Sequence, residues 1–157
     1  MKTKSGFRGY VSSRAVRDAC YPQRLQNLAI REHANRNGLT YLLSSTEFAM
    51  PGCYMMLDDL ITELEVLDGI ILFSVFMLPE SREKRFHIYE RVLSQQCAMH
   101  VALEDMVMSS EADIESFEDV IQVAKSLSQA PLNDVYQTFN LKMNDQDPFV
   151  KAIFKVL

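Results

Sequence analysis

The sequence predicts an α/β fold, an open and mostly parallel four-stranded sheet with helices on both faces and a helical tail. Three observations predict it. Residues Asp68 to Pro79, DGIILFSVFMLP, form an apolar run rich in β-formers, preceded by a turn-like Asp-Gly and closed by proline. Such a run reads as a central strand buried on both faces. Short β-rich segments then alternate with helical periodicity along most of the chain, as parallel sheets require. Finally, 157 residues suit one domain, and that length can bury a core without staples.

Each element follows from its residues. Phe7 to Val11 is a first strand, left through the polar loop Ser12-Ser13-Arg14. The stretch to Tyr21, with Arg17 and Asp18, is irregular. Pro22 opens a helix, because its missing N–H costs nothing at a first helical position. Leu25, Leu28, Ala29 and Ala34 are its expected inward stripe, and Asn37-Gly38 its left-handed stop. Leu39 to Ser44 is a second strand. Ser45 to Gly52 is a loop, and Cys53 to Leu67 a second helix burying Met56, Leu57, Leu60, Ile61 and Leu64. After the central strand, a third helix runs from Pro79 to Gln96 on a stripe of Phe86, Tyr89, Val92 and Leu93. Met99 to Glu104 is the last expected strand. Ser110 and Asp113 resemble a capping box before a fourth helix that buries Ile114, Phe117, Ile121 and Ala124. Right-handed crossovers favour the strand order 2-1-3-4. Residues 1–127 are thus expected to form the α/β domain and residues 128–157 a helical extension. Within it, Pro131 to Phe139 and the segment after Asp147-Pro148 are helix candidates.

Composition narrows the function. A net charge of −5 argues against a non-specific nucleic-acid binder, which needs clustered Lys and Arg. No apolar run reaches the roughly 18 residues of a membrane span, and MKTKSGF lacks a signal-peptide core. A cytoplasmic protein that does not enter a membrane is the expectation. Cys20, Cys53 and Cys97 are odd in number and form no CxxC, so buried reduced thiols are expected. His33, His87 and His100 show no HxxxH or HExxH spacing, and neither GxGxxG nor GxxxxGK[ST] occurs. No metal and no cofactor are expected.

In open parallel sheets, ligands bind beyond the carboxyl ends of the strands. That rule selects Ser12, Ser13 and Arg14, then Glu47, then Ser74 and Met77, then Glu104. Ser12 and Ser13 are candidate nucleophiles, with Glu47 or Glu104 as candidate base. Arg8 and Arg14 present planar forks suited to a carboxylate or phosphate, the alternative being ion pairs with Glu47 or Glu104. Ser74 either bonds backbone or points into the site. Tyr54 lies in an aromatic and methionine-rich loop, Phe48 to Tyr54, readable as a lid or as a plug.

Two family resemblances accompany these residues. From Phe7 to Met106 the chain resembles the catalytic domain of serine recombinases: Gly9-Tyr10 followed by serine, the helix QRLQNLAIREHANRNGL, the segment MPGCYMMLDDLI and the strand and helix after Asp68. That family carries arginine two residues after the tyrosine and its nucleophilic serine two further on. Here those places hold Ser12 and Arg14. Its Asp-Arg-Leu-x-Arg after the third strand is replaced by Phe76-Met77-Leu78-Pro79-Glu80. The resemblance thus implies the recombinase fold, with recombinase activity a lesser expectation and a homodimer a plausible assembly. Over residues 6–120 the chain also resembles the sporadic carbohydrate cluster protein family, at RGYVSSR, TEFAMPGCYMML, FSVFMLP and RFHIYERVL. That resemblance implies a setting in bacterial surface-carbohydrate biosynthesis. The resulting expectation is a protein that binds an anionic sugar or nucleotide-sugar at the strand ends, the alternative being a non-catalytic module for a carbohydrate-cluster enzyme.

Overall fold

A computed structural model describes residues 4–17 and 19–129. The sheet has five strands: β1 (Phe7–Ser12), β2 (Tyr41–Glu47), β3 (Gly69–Leu72), β4 (Ala98–Val101) and β5 (Met106–Met108). Their order is β2-β1-β3-β4-β5. The first four pair in parallel and β5 adds to β4 antiparallel. The expected order of four strands holds, and the count is corrected by one. The stretch expected as one strand through Glu104 turns back at residues 102–105, and its return forms β5.

The helices are α1 (Gln23–Arg36), α2 (Met55–Glu63), α3 (Arg82–Ser94) and α4 (Ala112–Gln129). The chain steps one way from β1 to β2 and the other way from β2 through β3 to β4. Right-handed crossovers then put α1 on one face and α2 and α3 on the other. The pleat of β1 agrees. Phe7 meets His100 on the α1 face, with ring centroids 5.2 Å apart. Arg8 and Tyr10 reach Glu63 and Glu47 on the α2 face.

β3 is shorter than the apolar run that announces it. Gly69 to Leu72 are all buried, and Val75–Met77 continue as a 3₁₀ turn capped by the Ser74 hydroxyl, which accepts from the Phe76 N–H. Gly69 permits the tight start, since a methyl group there would run into the Ala98 carbonyl.

In α1 the buried residues are Gln26, Ile30, His33 and Ala34, whereas the expected Leu25 and Leu28 are 47% and 63% exposed. The helix is rotated because Gln26 is its anchor. The Gln26 Oε1 accepts from the Ser12 N–H at 3.0 Å, and its Nε2 donates to the Ser12 and Tyr21 carbonyls at 2.6 and 2.8 Å. A buried amide that satisfies strand-end backbone outweighs two leucines. In α3, Arg85 joins Ile88, Tyr89 and Val92 inside. Its guanidinium grips Glu118 of α4 through two hydrogen bonds of 2.7 Å. Of the expected capping box, the backward half forms: Asp113 Oδ2 accepts from the N–H groups of Ser109 and Ser110, both at 2.9 Å.

Only Cys97 of the three free cysteines is buried; Cys20 is exposed, against the expectation of buried thiols. Among the described residues, no helix is long and apolar enough to cross a membrane. The chain divides into two compact units, Met1–Ile121 and Gln122–Leu157. The first holds the sheet. The described part of the second is the end of α4, Gln122–Gln129. The helices expected beyond residue 129 lie outside the described residues.

Candidate functional site

The strand order reverses at β1 and β3, so their carboxyl ends are where an open sheet offers a crevice. Here that position is filled by a connected network. Tyr10, fully buried, donates its hydroxyl to Glu47 Oε2 at 2.9 Å. Glu47, 2% exposed at the end of β2, also accepts from the backbone N–H groups of Met56 and Leu57 at 3.1 and 3.3 Å. It thereby caps the first turn of α2, where the helix dipole favours an anion. Its other oxygen accepts from the Phe48 N–H at 3.0 Å and from the Cys53 thiol at 3.5 Å. Burial pushes the Glu47 carboxyl upward, but the bonds from Phe48, Tyr10, Met56 and Leu57 together outweigh it and hold it below its ordinary value. Burial first, then the Glu47 charge, pushes the Tyr10 phenol far up, so it stays protonated as a donor.

Arg14 closes the network from above. It donates to the Cys53 carbonyl at 2.6 Å and to the Tyr10 hydroxyl at 3.4 Å, and its guanidinium lies 4.6 Å from the centre of the Tyr54 ring. Ser12, 1% exposed, accepts from the backbone N–H and the Nε–H of Arg14 at 3.1 and 3.3 Å. Ser13 is exposed, and its Oγ accepts from Gln23 Nε2 at 2.6 Å.

The remaining sequence-predicted residues go elsewhere. Arg8 does not reach this network. It donates to the Leu43 carbonyl (3.0 Å), Ser45 Oγ (2.8 Å) and Glu63 (2.8 Å), so its ion-pair partner is neither Glu47 nor Glu104. Glu104 forms a separate clasp, accepting from the Ser74 hydroxyl at 2.7 Å and the Val75 N–H at 3.0 Å. Ser74 is fully buried, and Met77, 4% exposed, belongs to the core. The structure therefore joins Ser12, Arg14, Glu47 and Tyr54, and keeps Arg8, Ser74, Glu104 and Met77 apart from them. Tyr10 and Gln26, which hold the network together, escape sequence reasoning. A tyrosine two residues before a polar strand exit is the signal that was present for Tyr10. An interior glutamine in α1 carries none.

A cleft of about 910 Å³ opens beside the network, between the start of α2 and the outer side of α3. Tyr54, Met55 and Asp58 form one wall and Ser81, His87 and Glu90 the other. Of the sequence-predicted site residues, Tyr54 alone lines it. Among the described residues, no group of three or more His, Cys, Asp or Glu side chains is placed to hold a metal ion.

The chain matches no protein-family profile and no curated protein sequence. Solved structures do share its fold. The N-terminal catalytic domain of TP901-1 integrase superposes with a TM-score of 0.55 at 13% identity, over 78% of this chain and 99% of that one. A resolvase family site-specific recombinase from Streptococcus pneumoniae gives a TM-score of 0.56 at 10% identity, over 85% of this chain and 94% of the other. At such identities the likeness is one of fold, and the recombinase-like architecture expected from the sequence is present. The carbohydrate reading is corrected. Its fold neighbours are site-specific recombinase domains, and no link to the sporadic carbohydrate cluster family is found. Its physical premise also fails, because Arg8 and Arg14 share no partner and do not converge on one hollow.

Proposed function

We propose that this chain is a degenerate serine-recombinase catalytic domain, which keeps that fold and does not cut DNA strands. The observation that carries the reading is the inversion after Tyr10. Where the resembled family places arginine and then its nucleophilic serine, this chain places Ser12 and then Arg14. The exchange is built into the packing: Ser12 is shut away from solvent, and Arg14 is committed to Cys53, Tyr10 and Ser12.

Among the described residues, the one exposed neighbour, Ser13, bonds no group that could serve as its base. Activation requires a base that takes the hydroxyl proton. The Gln23 amide donates to that oxygen instead. Phosphodiester cleavage also develops negative charge that cations must meet. The run Phe76 to Glu80 after β3 supplies none, and Met77 is packed inside. A net charge of −5 further weakens non-specific attraction to a phosphate backbone. The domain then acts by binding or assembly rather than by phosphoryl transfer.

Incubation with supercoiled plasmid tests this. The wild-type chain should give no nicked or linear product and no covalent protein–DNA adduct. Cleavage by the wild type that disappears in Ser13→Ala would overturn the proposal.

A further inference from the structure

The α1 face of the sheet holds a buried histidine pair. His33 of α1 and His100 of β4 are 67 residues apart in sequence, yet His33 Nε2 and His100 Nδ1 are 3.0 Å apart. The two residues are 1% and 7% exposed. The other nitrogen of His33, Nδ1, is buried and makes no well-aligned hydrogen bond among the described residues. Asp105 Oδ1 lies 3.3 Å from it and also receives Arg36 Nη2 at 3.0 Å. Asp105 ends the turn between β4 and β5 in a left-handed conformation, with φ of 52°.

Two neutral imidazoles share two protons among four nitrogens. With the His33 proton on Nε2, its Nδ1 lone pair faces a carboxylate, acceptor against acceptor. With that proton on Nδ1, His33 faces Asp105 as a donor and His100 Nδ1–H supplies the bond between the rings, so the neutral pair has one favourable arrangement. A third proton turns His33 into an imidazolium that donates to Asp105 and to His100 at once, adding a charge to the same two contacts. His33 also lies in the last turn of α1, where the helix dipole favours a cation.

We infer that the His33–His100 pair takes up a single proton on acidification, held on His33 with Asp105 as counterion, and that this proton fastens the β4–β5 turn to the end of α1. The groups facing the pair are Arg36 from α1 and Asp105 from the turn, which pull in opposite directions. For His33, burial is the largest influence and lowers its affinity for a proton; Asp105 raises it and Arg36 lowers it. For His100, burial first and the His33 charge second bring the value down to about 4, so a second proton follows only well below the ordinary histidine range. The residue before Asp105 is Glu104, which clasps Ser74 and the Val75 N–H where β3 exits. One short turn therefore links the proton site to the strand ends.

Nitrogen-edited NMR of the imidazoles in the full chain, followed from neutrality down to about pH 4, tests the inference. His33 should become doubly protonated before His100. Asp105→Asn should lower its midpoint by about one pH unit, and Arg36→Gln should raise it by less than that. Both substituted side chains are more than half exposed, so the fold should survive the changes. Amide exchange across residues 102–106 should slow on protonation in the wild type and not in Asp105→Asn. A His33 that stays neutral until the chain unfolds, or a midpoint indifferent to both substitutions, would overturn the inference.

Discussion

Glu47 is a carboxylate with both oxygens taken. A general base needs a lone pair turned towards its substrate, and here the two oxygens receive Tyr10, Cys53 and three backbone N–H groups. Glu47→Gln swaps one acceptor for a donor amid those donors. It should cost about 2–4 kcal/mol, read from urea unfolding midpoints. The sign with pH is fixed by the lowered carboxyl. Its stabilisation is complete above the ordinary value of 4.5 and is lost as pH falls through the depressed one. Arg85, 3% exposed, makes a contrast with the only partly buried Arg8. Arg85→Met would strand Glu118, which Tyr89 also bonds, and should cost about 3–5 kcal/mol. Glu63→Gln, at a pair whose side chains are 25% and 40% exposed, should cost under about 1 kcal/mol in the same assay. Nothing in the helical pattern marks Arg85 as interior. Its partner lies 33 residues away, and sequence periodicity treats a charge as outward.

At the scale of elements, α1 tests how far apolar spacing can be trusted. The exposed Leu28 should tolerate Leu28→Gln within about 0.5 kcal/mol, whereas Ile30→Ala should cost about 2–5 kcal/mol by thermal or urea unfolding. An inward Leu28 would reverse that ranking. The helices and the four parallel strands were legible because hydrophobic runs and breakers are local signals. β5 was not, because its three residues follow a turn made of Ala102, Leu103, Glu104 and Asp105, none of them a strong breaker. The turn relies on a left-handed Asp105, which aspartate tolerates without advertising it. The candidate site was legible only as a location. The rule of strand ends found Ser12, Arg14 and Glu47, but which of them touch depends on side-chain reach and on an α1 rotation that no spacing encodes.

For the whole molecule, acid is the condition that should separate this fold from its unfolded chain most clearly. His33 and His100 both sit below the ordinary value of 6.5 when folded, His100 at about 4. The unfolded chain therefore takes protons first. Stability should be full above about 6.5 and decline as pH falls towards about 4, with His100→Gln flattening the slope. Register shapes the molecule in another way. Between Phe7 and Gly9 β1 advances two residues while β2 advances three, from Tyr41 to Ser44. The surplus residue sits on the outer margin of the sheet, and the Leu43 carbonyl turns back onto Arg8. A kinked margin is a poor template for another chain's strand. Arg8 thus guards against lateral strand pairing: with its side chain gone the border can straighten, and the edge acquires the geometry from which fibrils grow.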